Sequence, residues 1–156
     1  MNQKQVAQEN TKRLVYQLKR IFMDNADKRV VVIGTTCTGK STLIKHFPHA
    51  QDMDRLIFPL LSKEESKYVC QSPWTEEIGD TMNRLVNERL KVRAGHPLFG
   101  TVLLDCDLIV YLRISDKLLK QRSRKKGHRF IDAKKMQTEI EEDMRKSHIC
   151  TVTIEI

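Results

Sequence analysis

Gly34-Thr35-Thr36-Cys37-Thr38-Gly39-Lys40-Ser41 decides how this chain is read, because it fills every fixed position of the pattern G-x-x-x-x-G-K-[ST]. A loop of this kind needs glycine twice, so that the backbone can take left-handed angles and pass close to a phosphate. Its N–H groups then form an anion-binding concavity, backed by the positive end of the helix that follows. Gly34, Thr35, Thr36, Cys37, Thr38, Gly39, Lys40, Ser41 and Thr42 are therefore the candidate nucleotide-binding residues. Lys40 would reach the outer phosphates as a point charge, and the Ser41 hydroxyl would take a place on Mg²⁺. A lysine facing an anion site is expected to contribute little to the core.

The residues on either side supply the context that this chemistry requires. Arg29-Val30-Val31-Val32-Ile33 is a β-branched run that reads as a strand buried on both faces. Ser41 to Phe47 reads as a short helix stopped by Pro48. Upstream, residues 2 to 23 hold no glycine or proline, and Leu14, Val15, Leu18, Ile21 and Phe22 recur at helical spacing. That helix, within residues 1–25, either packs on the side of the domain or offers itself to a partner. Residues 26–156 then form the nucleotide-binding core of a single domain spanning 1–156.

Downstream, His49 to Asp54 reads as a short second strand ending in two carboxylates. Alternating residues of a strand share a side, so Asp52 and Asp54 would both face a cleft, unless the stretch is a solvated turn. Leu56, Ile57, Phe58, Leu60 and Leu61 are too apolar for an exposed loop and are expected to pack under the site. Ser62-Lys63-Glu64-Glu65 has the form of a helix capping box, and Thr75 caps a longer helix expected to reach Arg93. Asp107 to Arg113 reads as a central strand, with another between Pro97 and Asp105. If that strand runs on to Asp105, the acid could orient Mg²⁺ at a strand end. If it stops near Gly100, Asp105 lies in a connection, since Cys106 alone cannot supply a parallel crossover. Ser115-Asp116 caps a further helix, Asp132 opens the last one, and Ile149 to Ile156 alternates as a final strand.

Composition narrows the function. No apolar run approaches the ~20 residues of a membrane span, and the polar, charged N-terminal stretch does not read as a secretory signal. The four cysteines, Cys37, Cys70, Cys106 and Cys150, form no C-x-x-C pair, which suits a reducing cytoplasm rather than a metal or disulfide framework. The net charge of +8 fits either nucleic acid or small polyanions such as nucleotides. Seven cations lie between Lys117 and Arg129 with no acid among them, and Gly127 offers a hinge. They form either a solvated face or a functional patch beside the phosphate loop. Aromatic residues for stacking bases are few, at 6%.

Taken in order, these segments resemble the small P-loop kinases, the superfamily of nucleoside monophosphate kinases and shikimate kinases, from about Arg29 onward. The glycine loop carries most of the resemblance. Tyr111-Leu112-Arg113-Ile114-Ser115, then Leu119, Arg122 and Arg129-Phe130, are similar to the family's strand, lid helix and lid. Asp52-Met53-Asp54 looks like the paired aspartates after the second strand of shikimate kinases, where one acid helps place Mg²⁺ and the other binds the acceptor hydroxyl. Gly100 stands alone where those enzymes carry a glycine triplet.

The resemblance implies a three-layer α/β P-loop fold, with a mostly parallel five-stranded sheet and a short basic lid. It implies ATP-dependent phosphoryl transfer to a small acceptor (nucleoside, nucleotide or hydroxylated metabolite) with Mg²⁺. Lys40, Asp54, Arg122 and Arg129 would be catalytic, and Ser41 and Asp52 would hold the metal. The partners are then nucleotide and acceptor. The competing classes are a nucleic-acid-binding or nucleic-acid-modifying P-loop protein, favoured by the basic charge, and a nucleotide-dependent regulatory NTPase. No N-K-x-D guanine-reading motif is present.

Overall fold

The computed structural model describes residues 2–156. Along the chain run α1 (Gln3–Asp24), β1 (Val30–Ile33), α2 (Lys40–Ile44), β2 (Gln51–Asp52) and α3 (Met53–Ile57). A 3₁₀ turn (Phe58–Leu60) leads to α4 (Lys63–Val69), α5 (Glu76–Arg89), β3 (Leu98–Gly100) and β4 (Leu108–Arg113). The last elements are α6 (Asp116–Lys126), α7 (Phe130–Ser147) and β5 (Cys150–Glu155). The five strands form one sheet in the order β2-β3-β1-β4-β5, and every pair is parallel.

The alternation inside β1 sets the layers. Val30 and Val32 face one way, against Leu14 and Leu18 of α1 and Leu43 of α2. Val31 and Ile33 face the other, with Met53, Ile57, Val86 and Ile140 from α3, α5 and α7. All four β1 residues are buried, as a β-branched run sandwiched between helices requires. The result is a helix–sheet–helix α/β domain in which α1 is part of one covering layer. Its first turns stay exposed, while Leu14 and Leu18 are buried.

Because β1 lies between β3 and β4, the connection leaving its C-terminal end sits where the strand order reverses. In parallel sheets such a position opens a crevice for ligands. Gly100, at the end of β3, closes one wall of that crevice. A Cβ there would lie 2.8 Å from Met53 Cβ and 2.7 Å from Met53 Sδ. Gly100→Ala is expected to cost about 1–3 kcal/mol by overpacking, lowering Tm by several degrees in a thermal melt. An unchanged Tm would mean that Met53 and α3 move freely there.

Several boundaries differ from those read off the sequence. β2 is only Gln51–Asp52, and Asp54 lies in α3. α5 stops at Arg89 instead of Arg93, before a tight turn at Gly95 (φ 79°). The last helix starts at Phe130, two residues before Asp132. β5 is an exposed edge in which only Ile154 is buried, so its alternating pattern does not mark a half-buried strand. No helix among the described residues is long and apolar enough to cross a membrane.

Candidate functional site

The loop from Gly34 to Gly39 leaves the C-terminal end of β1 and enters α2. Its two glycines have different reasons. Gly39 caps α2 with φ 95°, a left-handed angle. Gly34 is needed for space, since a Cβ there would sit 3.0 Å from Thr38 Oγ1 and 3.2 Å from the Leu112 carbonyl. The second left-handed position is Cys37 (φ 68°), a non-glycine residue whose thiol is buried. The left-handed angles expected in the loop thus fall on Gly39 and Cys37, and not on Gly34.

The loop is braced from within and from α7. Gly34 N–H donates to the Gly100 carbonyl (3.2 Å), and Thr38 Oγ1 donates to the Thr35 carbonyl (3.0 Å). Thr35 Oγ1 donates to the Ala133 carbonyl of α7 (2.6 Å). Both hydroxyls are buried. Residues 36 and 37 form a turn that leads into α2, and among the described residues no acceptor is paired with the backbone N–H groups of Cys37, Gly39, Lys40 or Ser41.

Lys40 folds back over the loop. Its Nζ donates to the carbonyls of Gly34 and Thr35 (both 2.7 Å) and to Thr38 Oγ1 (3.0 Å). Burial pushes its ammonium down to about 8, against the opposing pull of Asp54. Lys40 is therefore a structural member of the loop as well as a charge, contrary to the expectation that it contributes little to packing.

Asp52 and Asp54 reach the same place by a route other than a shared strand side. Asp52 ends β2 and N-caps α3, its Oδ1 accepting from Asp54 N–H (3.0 Å). Both then line a small cavity of about 50 Å³ with Lys40, Ser41, Gly100 and Thr101. Asp54 as a residue is exposed, but its carboxyl faces this cavity. Desolvation, then the Asp52 charge, raise it above the usual carboxylate range. Beside them opens a cleft of about 450 Å³ lined by Ser41, Lys45, Gln51, Asp52, Arg55 and Leu56.

Two other candidates part company. Arg122 is half-buried on α6 and its Nη1 donates to the Cys37 carbonyl (3.2 Å), which places it on the loop. Arg129 does not join it: the side chain is half-exposed and lies 3.8 Å from Asp132 on its own helix. The Walker B alternative for Asp105 also fails. β3 stops at Gly100, and Asp105 pairs with Arg29 (2.9 Å) at the end of β1 opposite the loop. Thr42 is exposed on α2, its N–H bonded to the Gly39 carbonyl (3.1 Å).

Thr101 and Phe99 line the small cavity and were invisible to motif reading, because no local pattern marks them. The parallel register of β3 with β1 places Phe99 there, and Thr101 follows directly after the strand. A second acidic group lies between α5 and α7. There Glu139 is pushed up to about 7 by burial and then by Asp80 and Glu76.

No family model matches the chain, and no curated protein matches it. Among solved structures, it is similar to a deoxyadenosine kinase from M. mycoides with the products dCMP and a flexible dCDP bound. The identity is 16%, covering 80% of this chain and 88% of that one, with a TM-score of 0.49. That likeness is too distant to transfer a substrate.

Proposed function

We propose that this chain transfers the γ-phosphoryl group of ATP to a hydroxyl of a small acceptor, with Mg²⁺ as cofactor. The observation that carries the reading is convergence on one crevice. Lys40 and Ser41 border a small cavity with Asp52 and Asp54, a larger cleft adjoins it at Ser41 and Asp52, and Arg122 bonds to the loop through the Cys37 carbonyl. Phosphoryl transfer asks mainly for positioning and charge neutralisation, and these groups offer both.

The loop amides and Lys40 would hold the β- and γ-phosphates, and Arg122 would face the charge that develops on the transferring group. The acceptor would lie in the cleft beside Arg55, with its hydroxyl toward Asp54. As the new O–P bond forms and the bond to the ADP oxygen breaks, the acceptor proton passes to Asp54. A carboxylate held above its usual range suits that role.

Ser41 and Asp52 fit a magnesium ion of the kind that keeps several waters and takes its remaining ligands from phosphates. No cluster of three or more His, Cys, Asp or Glu among the described residues offers an all-protein cage. When bound, the ion would neutralise the charge shared by the β- and γ-oxygens.

The test offers ATP and Mg²⁺ with nucleosides, nucleotides, hydroxy acids and sugars, and looks for a phosphorylated acceptor formed in step with ADP. ADP formed at the same rate without any acceptor would replace the reading with an NTPase. Asp52→Asn and Asp54→Asn are each expected to cut transfer by about 10²–10⁴-fold. Asp105→Asn should leave the rate unchanged, because it breaks only an exposed pair with Arg29. Damage in the reverse order would sink the assignment.

Nucleotide affinity should also depend on pH through Lys40. In the free protein the ammonium loses its proton near pH 8, whereas a bound polyphosphate holds it on. Affinity should therefore fall by up to about tenfold per unit above pH 8, as binding must take up a proton. The unliganded chain should gain stability from this group between about 8 and 10.5, because the unfolded lysine keeps its proton longer. Calorimetric titration from pH 7 to 9.5 in buffers of different ionisation heat reads the proton uptake; none above pH 8 would exclude Lys40 from the contact.

A further inference from the structure

A cavity with an almost wholly apolar lining lies at the opposite end of the sheet from the phosphate loop, near the N-terminal ends of β1 and β3. It encloses about 260 Å³, and Phe22, Met23, Val30, Phe47, Pro48 and Pro97 form its apolar wall. The wall is fixed by aromatic packing: the Phe22 and Phe47 rings meet edge to face at 5.0 Å, and Phe47 stacks on Phe99 at 6.2 Å. The Asn25 amide already donates to the Ile21 carbonyl (2.8 Å).

The charge around this cavity is one-sided. Lys19 of α1 and Lys28 of the following turn both line it, together with His49, and no carboxylate does. Neither lysine is in an ion pair among the described residues. Asp107, whose charge Lys28 feels, is already held by Arg29 at 3.1 Å. An apolar chamber with two uncommitted ammonium groups combines the burial that drives binding with a charge that selects and orients.

We propose that this cavity is a binding site for a small apolar carboxylate, an aromatic or branched aliphatic acid of on the order of ten non-hydrogen atoms. Its apolar body would fill the space between Phe22, Phe47 and Pro97, with the carboxylate at Lys19 and Lys28. The aromatic partition of Phe47 and Phe99 separates it from the crevice holding Lys40, so occupancy needs no nucleotide. The proposal stands or falls independently of phosphoryl transfer.

The experiment titrates the full chain, without nucleotide, with 3-phenylpropanoate and with its neutral amide, following backbone ¹H–¹⁵N shifts. Saturable shifts are expected within residues 19–30, 47–50 and 95–97. The amide should bind about fivefold more weakly, as should 3-phenylpropanoate to the Lys19→Ala/Lys28→Ala double variant. Ala26→Leu, a change at an exposed position on the rim, should weaken both probes at least about tenfold by filling the space. Shifts centred on the phosphate loop, no saturation, or equal affinity for acid and amide would overturn the proposal. So would concentration-dependent broadening of the same resonances without probe, which would make the cavity a contact between copies of this chain. The wild-type titration alone decides the location, so a poorly folded variant leaves the test intact.

Discussion

Lys40→Ala is expected to abolish nucleotide-induced stabilisation and to reduce phosphoryl transfer by roughly 10²–10³-fold, the scale of losing one preorganised charge donor. An ATP analogue at a hundred times its Kd should stabilise the wild type by about 2.7 kcal/mol, and the variant should lose that shift. The unliganded variant should also melt earlier. Lys40 Nζ satisfies the Gly34 and Thr35 carbonyls and Thr38 Oγ1, and removing it strips these buried acceptors of a donor. The cost is about 1–3 kcal/mol, several degrees in Tm for a chain this size. The two effects separate cleanly in one thermal-shift series with and without ligand. An undiminished response to the ATP analogue would remove the loop from nucleotide binding, whatever the change in unliganded Tm.

That dual role explains which parts of the site could be read from sequence. The loop was legible because strand, glycines, lysine and hydroxyl are contiguous, and each is demanded by local geometry. β1 was legible because its neighbours on both faces impose the same β-branched run. The reason for each glycine was not, since it depends on Leu112 and Thr38 pressing on Gly34, and on Cys37 carrying a left-handed angle without being glycine. Asp52 lies at the end of the second strand as expected, whereas Asp54 lies in α3 instead of on that strand. A side-chain cap from Asp52 to Asp54 N–H competes with strand continuation and wins, because β2 has only β3 to pair with. Asp105 and Arg129 show the same limit. Each follows an apolar or basic pattern that suits a site, yet β3 ends before Asp105, which pairs with Arg29, and Arg129 caps α7 beside Asp132. Phe99 enters through sheet register, which no single stretch of sequence contains, and Thr101 follows just past the end of β3.

The basic stretch from Lys117 to Arg129 leads to the second large effect. α6 is already an ordered helix, capped by Ser115 at its start and by Gly127 (φ 71°) at its end. Only Arg122 among its cations touches the loop, through the Cys37 carbonyl. Lys120 lies over the Phe130 ring at 5.0 Å, and the remaining cations are exposed. Arg122→Ala is therefore expected to lower kcat by about 10²–10³-fold while changing ATP affinity by less than about tenfold. That pattern marks a contact stronger in the transition state than in the ground state. Arg129→Ala should do far less, since its guanidinium lies beside Asp132, and an equal loss would mean that the Gly127 corner closes during turnover. Hydrogen exchange distinguishes these outcomes. With an ATP analogue, added protection should appear in the loop, and at residues 127–129 only where that corner closes, because α6 itself has little left to order. A nucleic-acid surface makes the opposite demand. Protection across residues 117–129 would then follow oligonucleotide but not nucleotide. Neutralising Lys120, Lys125 or Lys126 would each flatten the salt dependence of binding by about one unit. If that pattern is found, the exposed cations of α6 serve a phosphate backbone, and Arg122 holds the loop without acting on a transferring phosphoryl group.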